Sequence, residues 1–175
     1  MRIFAALALP PRVIARIVGW QEEQKKLHPS LRWVKEDNLH ITLRFFGNLE
    51  SGALNRIRSV LENWKPGHLG FSLERVGTFG GRGSPSVYWL GGDFPPQVTE
   101  IAGRLGRIPD ERGRYGGGTF IPHLTVARRK GGPVPMPAFP GEVRGVLSTM
   151  WLVNSTLTPE GPEYEFLETY DLNGN

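Results

Sequence analysis

The sequence predicts an α+β fold with mostly antiparallel strand pairing. Strand-like segments outnumber helical ones, about seven to nine against three, and the two kinds are mixed along the chain. The chain has 175 residues, of which 39% are apolar, enough to bury a core within a single domain. No short-period repeat points to a solenoid.

The elements follow in order. Arg2 to Leu9 reads as a buried strand closed by Pro10-Pro11, and proline is tolerated at a helix start. Val13, Ile14, Ile17, Val18 and Gln21 then recur with helical spacing, extended by Trp20, Gln24 and Leu27, up to His28-Pro29. A short strand is expected around Leu31 to Val34, and Leu39 to Phe45 alternates as a strand ended by Gly47-Asn48. Leu54, Ile57, Val60, Leu61 and Trp64 form a second helical stripe, stopped at Lys65-Pro66-Gly67. Phe71, Leu73 and Val76 suggest another strand, and the glycines of Gly77 to Pro85 a flexible loop. Ser86 to Leu90 reads as a strand, and Pro96 to Leu105 as a helix with Val98, Ile101, Ala102 and Leu105 as its stripe. Pro109 to Gly118 is charged and glycine-rich and is expected to be mobile. His123 to Ala127 is a strand, Gly131 to Pro140 an extended connection, and Glu142 to Val153 and Tyr164 to Leu172 the last two strands, joined by a turn at Thr158 to Pro162.

Composition excludes several classes. With no Cys there is no disulfide framework, no thiolate nucleophile and no Cys-ligated metal. The apolar run at Phe4 to Leu9 is far short of a membrane span, and the start lacks the pattern of a signal peptide, so a soluble cytoplasmic protein is expected. Lys and Arg number 21 against 17 Asp and Glu, a net charge of +4. That excess is compatible with phosphate or nucleic-acid ligands without demanding them.

A long-range duplication carries the chemistry. His40-Ile41-Thr42-Leu43 and His123-Leu124-Thr125-Val126 are both His-x-Thr followed by an aliphatic residue. With four histidines and nine threonines, chance supplies about 0.2 such pairs per chain. In a strand, residues i and i+2 share a face, so each copy offers one imidazole and one hydroxyl backed by apolar neighbours. If the two strands face each other across a cleft, two imidazoles converge. Imidazole titrates near neutrality, so one can be neutral and the other charged. Hydrolysis of a phosphodiester needs that pair: one group takes a proton from water while the other gives one to the leaving oxygen. The hydroxyls can hold phosphate oxygens, and Arg128 can neutralise charge developing on phosphorus. Catalytic zinc usually needs three protein ligands, and only His28 and His68 remain, so neither a metal nor another cofactor is expected. His28 and His68 are expected to be structural or neutral. Phe4, Phe45, Phe46 and Phe120 lie near the motifs, and of these Phe45 and Phe120 are the candidates for stacking a nucleobase.

At these motifs the sequence resembles the two-histidine (2H) phosphoesterases, specifically the RNA 2′,3′-cyclic phosphodiesterases once described as 2′-5′ RNA ligases (LigT-like). The likeness runs through Arg2-Ile3-Phe4 to Pro10, Trp33-Val34, Asn38 to Leu43 with Phe45-Phe46-Gly47, Phe120 to Arg128, and Ser155 to Leu157 with Tyr164. It implies one domain over residues 1–175, made of two lobes related by pseudo-two-fold symmetry, each contributing one motif. Two antiparallel sheets would line a central cleft, with helices outside. It further implies metal-independent opening of a 2′,3′-cyclic phosphate to a 2′-phosphomonoester. His40 would be the proton donor and His123 the proton acceptor, with Thr42, Thr125 and Arg128 on the phosphate. RNA ends or nucleoside cyclic phosphates would be the partners of a monomeric enzyme. Ligation of cyclic-phosphate and 5′-hydroxyl ends, and a non-catalytic RNA- or nucleotide-binding module, remain alternatives. A pure binder has no need of two titratable groups.

Overall fold

The computed structural model describes residues 1–81, 84–129, 137–139, 141–159 and 161–174. In chain order the elements are β1 (Arg2–Ala8), α1 (Pro11–Leu27), β2 (Leu31–Trp33), a single 3₁₀ turn (Glu36–Asn38), β3 (His40–Asn48), α2 (Ser51–Glu62), β4 (Leu69–Leu73), β5 (Arg75–Gly81), β6 (Ser84–Gly91), α3 (Pro96–Gly106), β7 (Leu124–Arg129), β8 (Val143–Leu147), β9 (Thr149–Thr158) and β10 (Gly161–Asp171). All strand pairs are antiparallel, and the class is α+β as the sequence predicts.

The larger sheet has eight strands in the order β10-β9-β1-β3-β7-β6-β5, with β2 also paired to β7, and β4 and β8 form a second, two-stranded sheet. The larger sheet is two four-stranded halves, one built on β3 and one on β7. A single residue pair, Ile41 with Leu124, joins them. The helices cover one face. α1 starts with a proline in its first turn and buries Val13, Ile17 and Trp20. α2 buries Leu54, Ile57 and Leu61, and α3 buries Val98, Ile101 and Leu105. Their apolar stripes meet Ile3, Ala5, Leu7, Ile41, Leu43, Leu124 and Val126 in the main core. On the other face of β1, Phe4 and Ala6 form a small separate cluster with Val153, against which Trp151 and Tyr164 pack. β1 is therefore buried on both sides, which is why it reads as an unbroken apolar run.

The structure departs from the sequence reading in four places. The strand expected over Phe71 to Val76 is two strands that part at Glu74: β4 stays with β8, while β5 turns to pair with β6. The glycine-rich segment from Gly77 is not a loop but the hairpin of β5 and β6, whose tip at residues 82–83 lies outside the described residues. Its glycine serves close packing rather than freedom: a Cβ on Gly77 would fall 2.2 Å from the Trp89 ring. The segment Glu142 to Val153 likewise divides at Ser148 into β8 and β9, which join different sheets. Pro109 to Gly118 has no regular element, yet it is tied down rather than mobile. The Arg44 guanidinium donates to the carbonyls of Ile108 (3.2 Å) and Arg114 (3.0 Å), and the Glu111 N–H donates to Phe46 O (2.8 Å). Most of Gly131 to Pro140 lies outside the described residues. Among the described residues no helix is long and apolar enough to cross a membrane.

Candidate active site

Strand parity positions the site. On β3, Ile41 and Leu43 are buried while His40 and Thr42, which alternate with them, are only half-buried. On β7, Leu124 and Val126 are buried and Thr125 is half-buried. The pair that joins the two halves of the sheet, Ile41 with Leu124, consists of the middle residues of the two His-x-Thr motifs. Its antiparallel sense sets position 40 across from 125 and position 42 across from 123. His40, Thr42, His123, Thr125 and Arg128 consequently line one cleft of about 860 Å³.

Arg128 reaches that cleft because β7 is irregular. Trp89 pairs with Thr125 and Tyr88 with Ala127, so Val126 is an extra residue, a β-bulge. On a regular strand, residues three apart face opposite ways; the bulge resets the parity and puts Arg128 on the side of Thr125. The bulge is anchored from behind. Val126 O accepts from the Val34 N–H (2.9 Å) and from the Gln21 side-chain amide (3.1 Å), which also donates to Val34 O (3.1 Å). Gln21 projects from α1 and is buried.

Each imidazole is held by the carbonyl two residues before it. His40 Nδ1–H donates to Asn38 O (2.9 Å) and His123 Nδ1–H donates to Ile121 O (2.7 Å). A carbonyl can only accept, so both neutral rings carry their proton on Nδ1 and leave Nε2 as the nitrogen open to chemistry. At His40, Nε2 lies 3.0 Å from Thr42 Oγ1, and the hydroxyl donates to it while the ring is neutral. Among the described residues no hydrogen bond joins His123 to Thr125.

Their surroundings differ. Phe4 stacks on His40 with ring centroids 5.0 Å apart, and Tyr164 meets its edge at 5.5 Å. His123 is flanked by Phe79 at 4.8 Å and Trp89 at 5.9 Å. Burial in this aromatic setting lowers His40 to a pKa of about 4, opposed by the Asn38 carbonyl and reinforced by the charges of His123 and Arg128. His123 is also lowered, first by desolvation and then by Arg128, against the pull of the Ile121 carbonyl. Burial pushes the Tyr164 phenol up, so it stays protonated. The free cleft at neutral pH thus holds two neutral imidazoles beside the Arg128 guanidinium.

Of the aromatic candidates, the exposed Phe45 lines the cleft, with the Arg2 guanidinium 5.0 Å from its ring centre. The structure does not bring Phe120 there. It is half-buried against the main core, because its side chain turns to the helix-covered face just before β7 begins. Phe46 is fully buried. Neither His28 nor His68 is among the cleft residues; His28 closes α1, its N–H donating to Gln24 O (2.8 Å). Sequence reasoning missed Phe79, because it lies in the segment read as a loop, and Asn38 and Gln21, whose roles are set by backbone carbonyls that no pattern exposes. Periodicity did contain one cue: Gln21 falls on the buried stripe of α1, where a polar residue calls for a partner.

A second groove, between α2 and α3, carries Arg56, Arg104 and Arg107 but no motif residue. Among the described residues no group of three or more His, Asp or Glu side chains could hold a metal ion.

The family model described as LigT-like phosphoesterase matches residues 7–89. The chain is similar to an RNA 2′,3′-cyclic phosphodiesterase of Methanothermobacter thermautotrophicus, 30% identical over 98% of this chain and 99% of the relative. A protein of the same name from Thermus thermophilus is 32% identical over 99% and 91% of the two chains. Among solved structures, TT0787 of Thermus thermophilus superposes with a TM-score of 0.84 at 29% identity, covering 99% of both chains. The apo form of Escherichia coli LigT gives a TM-score of 0.76 at 24% identity over 97% of this chain and 96% of that one, a likeness of fold.

Proposed function

The chain belongs to the LigT-like, two-histidine phosphoesterase family, and from that premise we propose that it hydrolyses RNA 2′,3′-cyclic phosphate ends to 2′-phosphomonoesters. The observation that carries the reading is the convergence of two imidazoles on one cleft, each with Nδ1 fixed on a carbonyl and Nε2 left for proton transfer. The relatives named as RNA 2′,3′-cyclic phosphodiesterases support it over nearly the whole chain. The two four-stranded halves of the large sheet are then the two lobes of a single domain, one motif to each.

In this reading the cyclic phosphate sits between the histidines. His123 Nε2 takes a proton from water as the water oxygen attacks phosphorus. The bond from phosphorus to O3′ breaks, and His40 Nε2–H delivers its proton to that oxygen. The products are a 2′-phosphomonoester and a 3′-hydroxyl. The two rings have exchanged protonation states, and solvent restores them. Thr42 and Thr125 donate hydroxyl hydrogen bonds to the phosphate oxygens, and Arg128 balances the charge that builds on them. Phe45, exposed at the cleft, offers its face to the terminal base. Because His40 is neutral in the free cleft, these roles require it to take up a proton from solvent as substrate binds, which the phosphate anion favours by raising the proton affinity of an imidazole it touches. No step requires a metal ion.

The test is turnover of a nucleoside 2′,3′-cyclic phosphate, and of a short RNA bearing that end, in excess EDTA, with the product isomer identified by chromatography. A 2′-phosphate that forms in EDTA and is lost in His40→Ala and His123→Ala supports the reading. A folded wild-type protein that turns over neither substrate overturns it, and activity abolished by EDTA overturns the metal-independent step.

A further inference from the structure

β2 pairs with β7 so that Arg32 stands directly opposite Arg128. Like charges in that position repel across a sheet and weaken the pairing. Both residues are exposed and both line the cleft, as does Lys35. Among the described residues, no carboxylate pairs with any of the three. The fold does not require a cation at position 32. β2 is anchored by its neighbours instead: Leu31 is buried, and Trp33 meets Trp20 edge-on with centroids 5.7 Å apart. The repulsion is a local cost that an anion between the strands would turn into attraction.

Arg128 is the one whose charge acts on both imidazoles, so it belongs to the reacting phosphate. Arg32 lies one strand spacing farther along the same wall, about 4.8 Å. The next anion along an RNA chain from a cyclic end is the 5′-phosphate of the terminal nucleotide. We propose that Arg32, with Lys35 beside it, forms a second anion subsite that binds this 5′-phosphate and so favours RNA ends over free nucleoside cyclic phosphates. The proposal rests on the reading of the cleft given above. A guanidinium suits it, because its planar fork grips two phosphate oxygens at once.

The experiment compares two product analogues of the same base, a nucleoside 2′-monophosphate and a nucleoside 2′,5′-bisphosphate, by titration calorimetry at low salt. The proteins are wild type, Arg32→Gln and Arg32→Lys. In wild type the added 5′-phosphate is expected to tighten binding about tenfold, the worth of one charge-assisted contact. In Arg32→Gln that advantage drops to about twofold or less, and Arg32→Lys keeps part of it. Equal binding of the two analogues by wild type overturns the proposal, as does an advantage undiminished in Arg32→Gln. The latter result would mean that groups other than Arg32 hold the 5′-phosphate. The readout is a ratio within one protein and needs no turnover. A wild type that discriminates the analogues but never opens a cyclic phosphate would therefore sink the proposed reaction and leave the subsite standing.

Discussion

The two halves of the large sheet place an imidazole by the same device and then treat it differently. In both, a carbonyl two residues before the histidine fixes Nδ1, and an aliphatic residue pins the strand from behind, Ile41 in one and Leu124 in the other. His40, however, is stacked on Phe4 and bonded to Thr42, whereas His123 meets Phe79 edge-on and makes no bond to Thr125. Geometry is a property of the backbone and repeats with the motif. Proton affinity is a property of the packing and does not. A duplicated site can therefore hold two copies of one residue at two different protonation energies, which acid–base catalysis requires.

The largest effect should come from removing either ring. His40→Ala and His123→Ala are each expected to lose about 10² to 10⁴ in kcat, and the double variant little more, because the two act as a unit. A substrate with sulfur in place of the 3′ oxygen separates them, since a thiolate leaves without a proton. Most of the activity lost in His40→Ala should return with that substrate, and none of that lost in His123→Ala. The reverse pattern would exchange the roles. In wild type one ring must carry a proton and both titrate below their ordinary value, so kcat/KM should fall about tenfold per pH unit above 6.5.

Next in size is acid stability. The native His40 pKa of about 4 lies below the ordinary 6.5 of the unfolded chain, so the unfolded state takes up its proton first. The contribution is fully present above about pH 6.5 and is lost as the pH falls toward 4, roughly 2 to 3 kcal/mol by pH 4.5. Urea unfolding at pH 7.5 and 4.5 should show this loss in wild type. His40→Phe should lack most of it, and His123→Phe should retain most of it. Equal slopes in the two variants would erase the difference between the halves.

The β7 half depends on an anchor of its own. Gln21→Leu keeps the volume on α1 but removes the donor to Val34 O and Val126 O, and should cost about 1 to 3 kcal/mol in unfolding free energy. If the bulge then relaxes, Arg128 turns from the cleft and kcat/KM falls, because the charge building on the phosphate loses its partner. A variant as stable and as active as wild type would mean that the bulge holds without its anchor.

How far the sequence reached follows from which forces it displays. The strand parity of His40, Thr42, His123 and Thr125 was legible because alternation is local, and the helices because their stripes are. The sheet order was not. Glu74 and Ser148 interrupt runs that look continuous, since a strand that changes partner keeps its own alternation. Gly77 read as freedom because the Trp89 ring that occupies the space is a distant neighbour. Arg128 stands close to the second motif in sequence, yet its orientation comes from a bulge, and no residue of that segment announces one. The difference between His40 and His123 was invisible for the same reason: Phe4 and Tyr164 come from β1 and β10, far away in the chain.

The smallest expected effect is the most direct measure of that difference. The Thr42 hydroxyl donates to neutral His40 Nε2, and a hydrogen bond to the uncharged form holds the pKa down. Thr42→Val removes the donor while keeping the β-branched shape that suits the strand, and should raise the His40 pKa by about half a unit, the worth of one ordinary hydrogen bond. Thr125→Val removes no such bond, and the His123 pKa should stay where it is. Both variants are expected to bind phosphate several-fold more weakly, because each hydroxyl faces the same anion. Imidazole titrations followed by NMR on the free protein read the first pair of outcomes, and phosphate titrations the second. Matching pKa shifts in the two threonine variants would show that the hydroxyl contact does not distinguish the halves, and the difference would then rest on the burial of His40 among Phe4 and Tyr164.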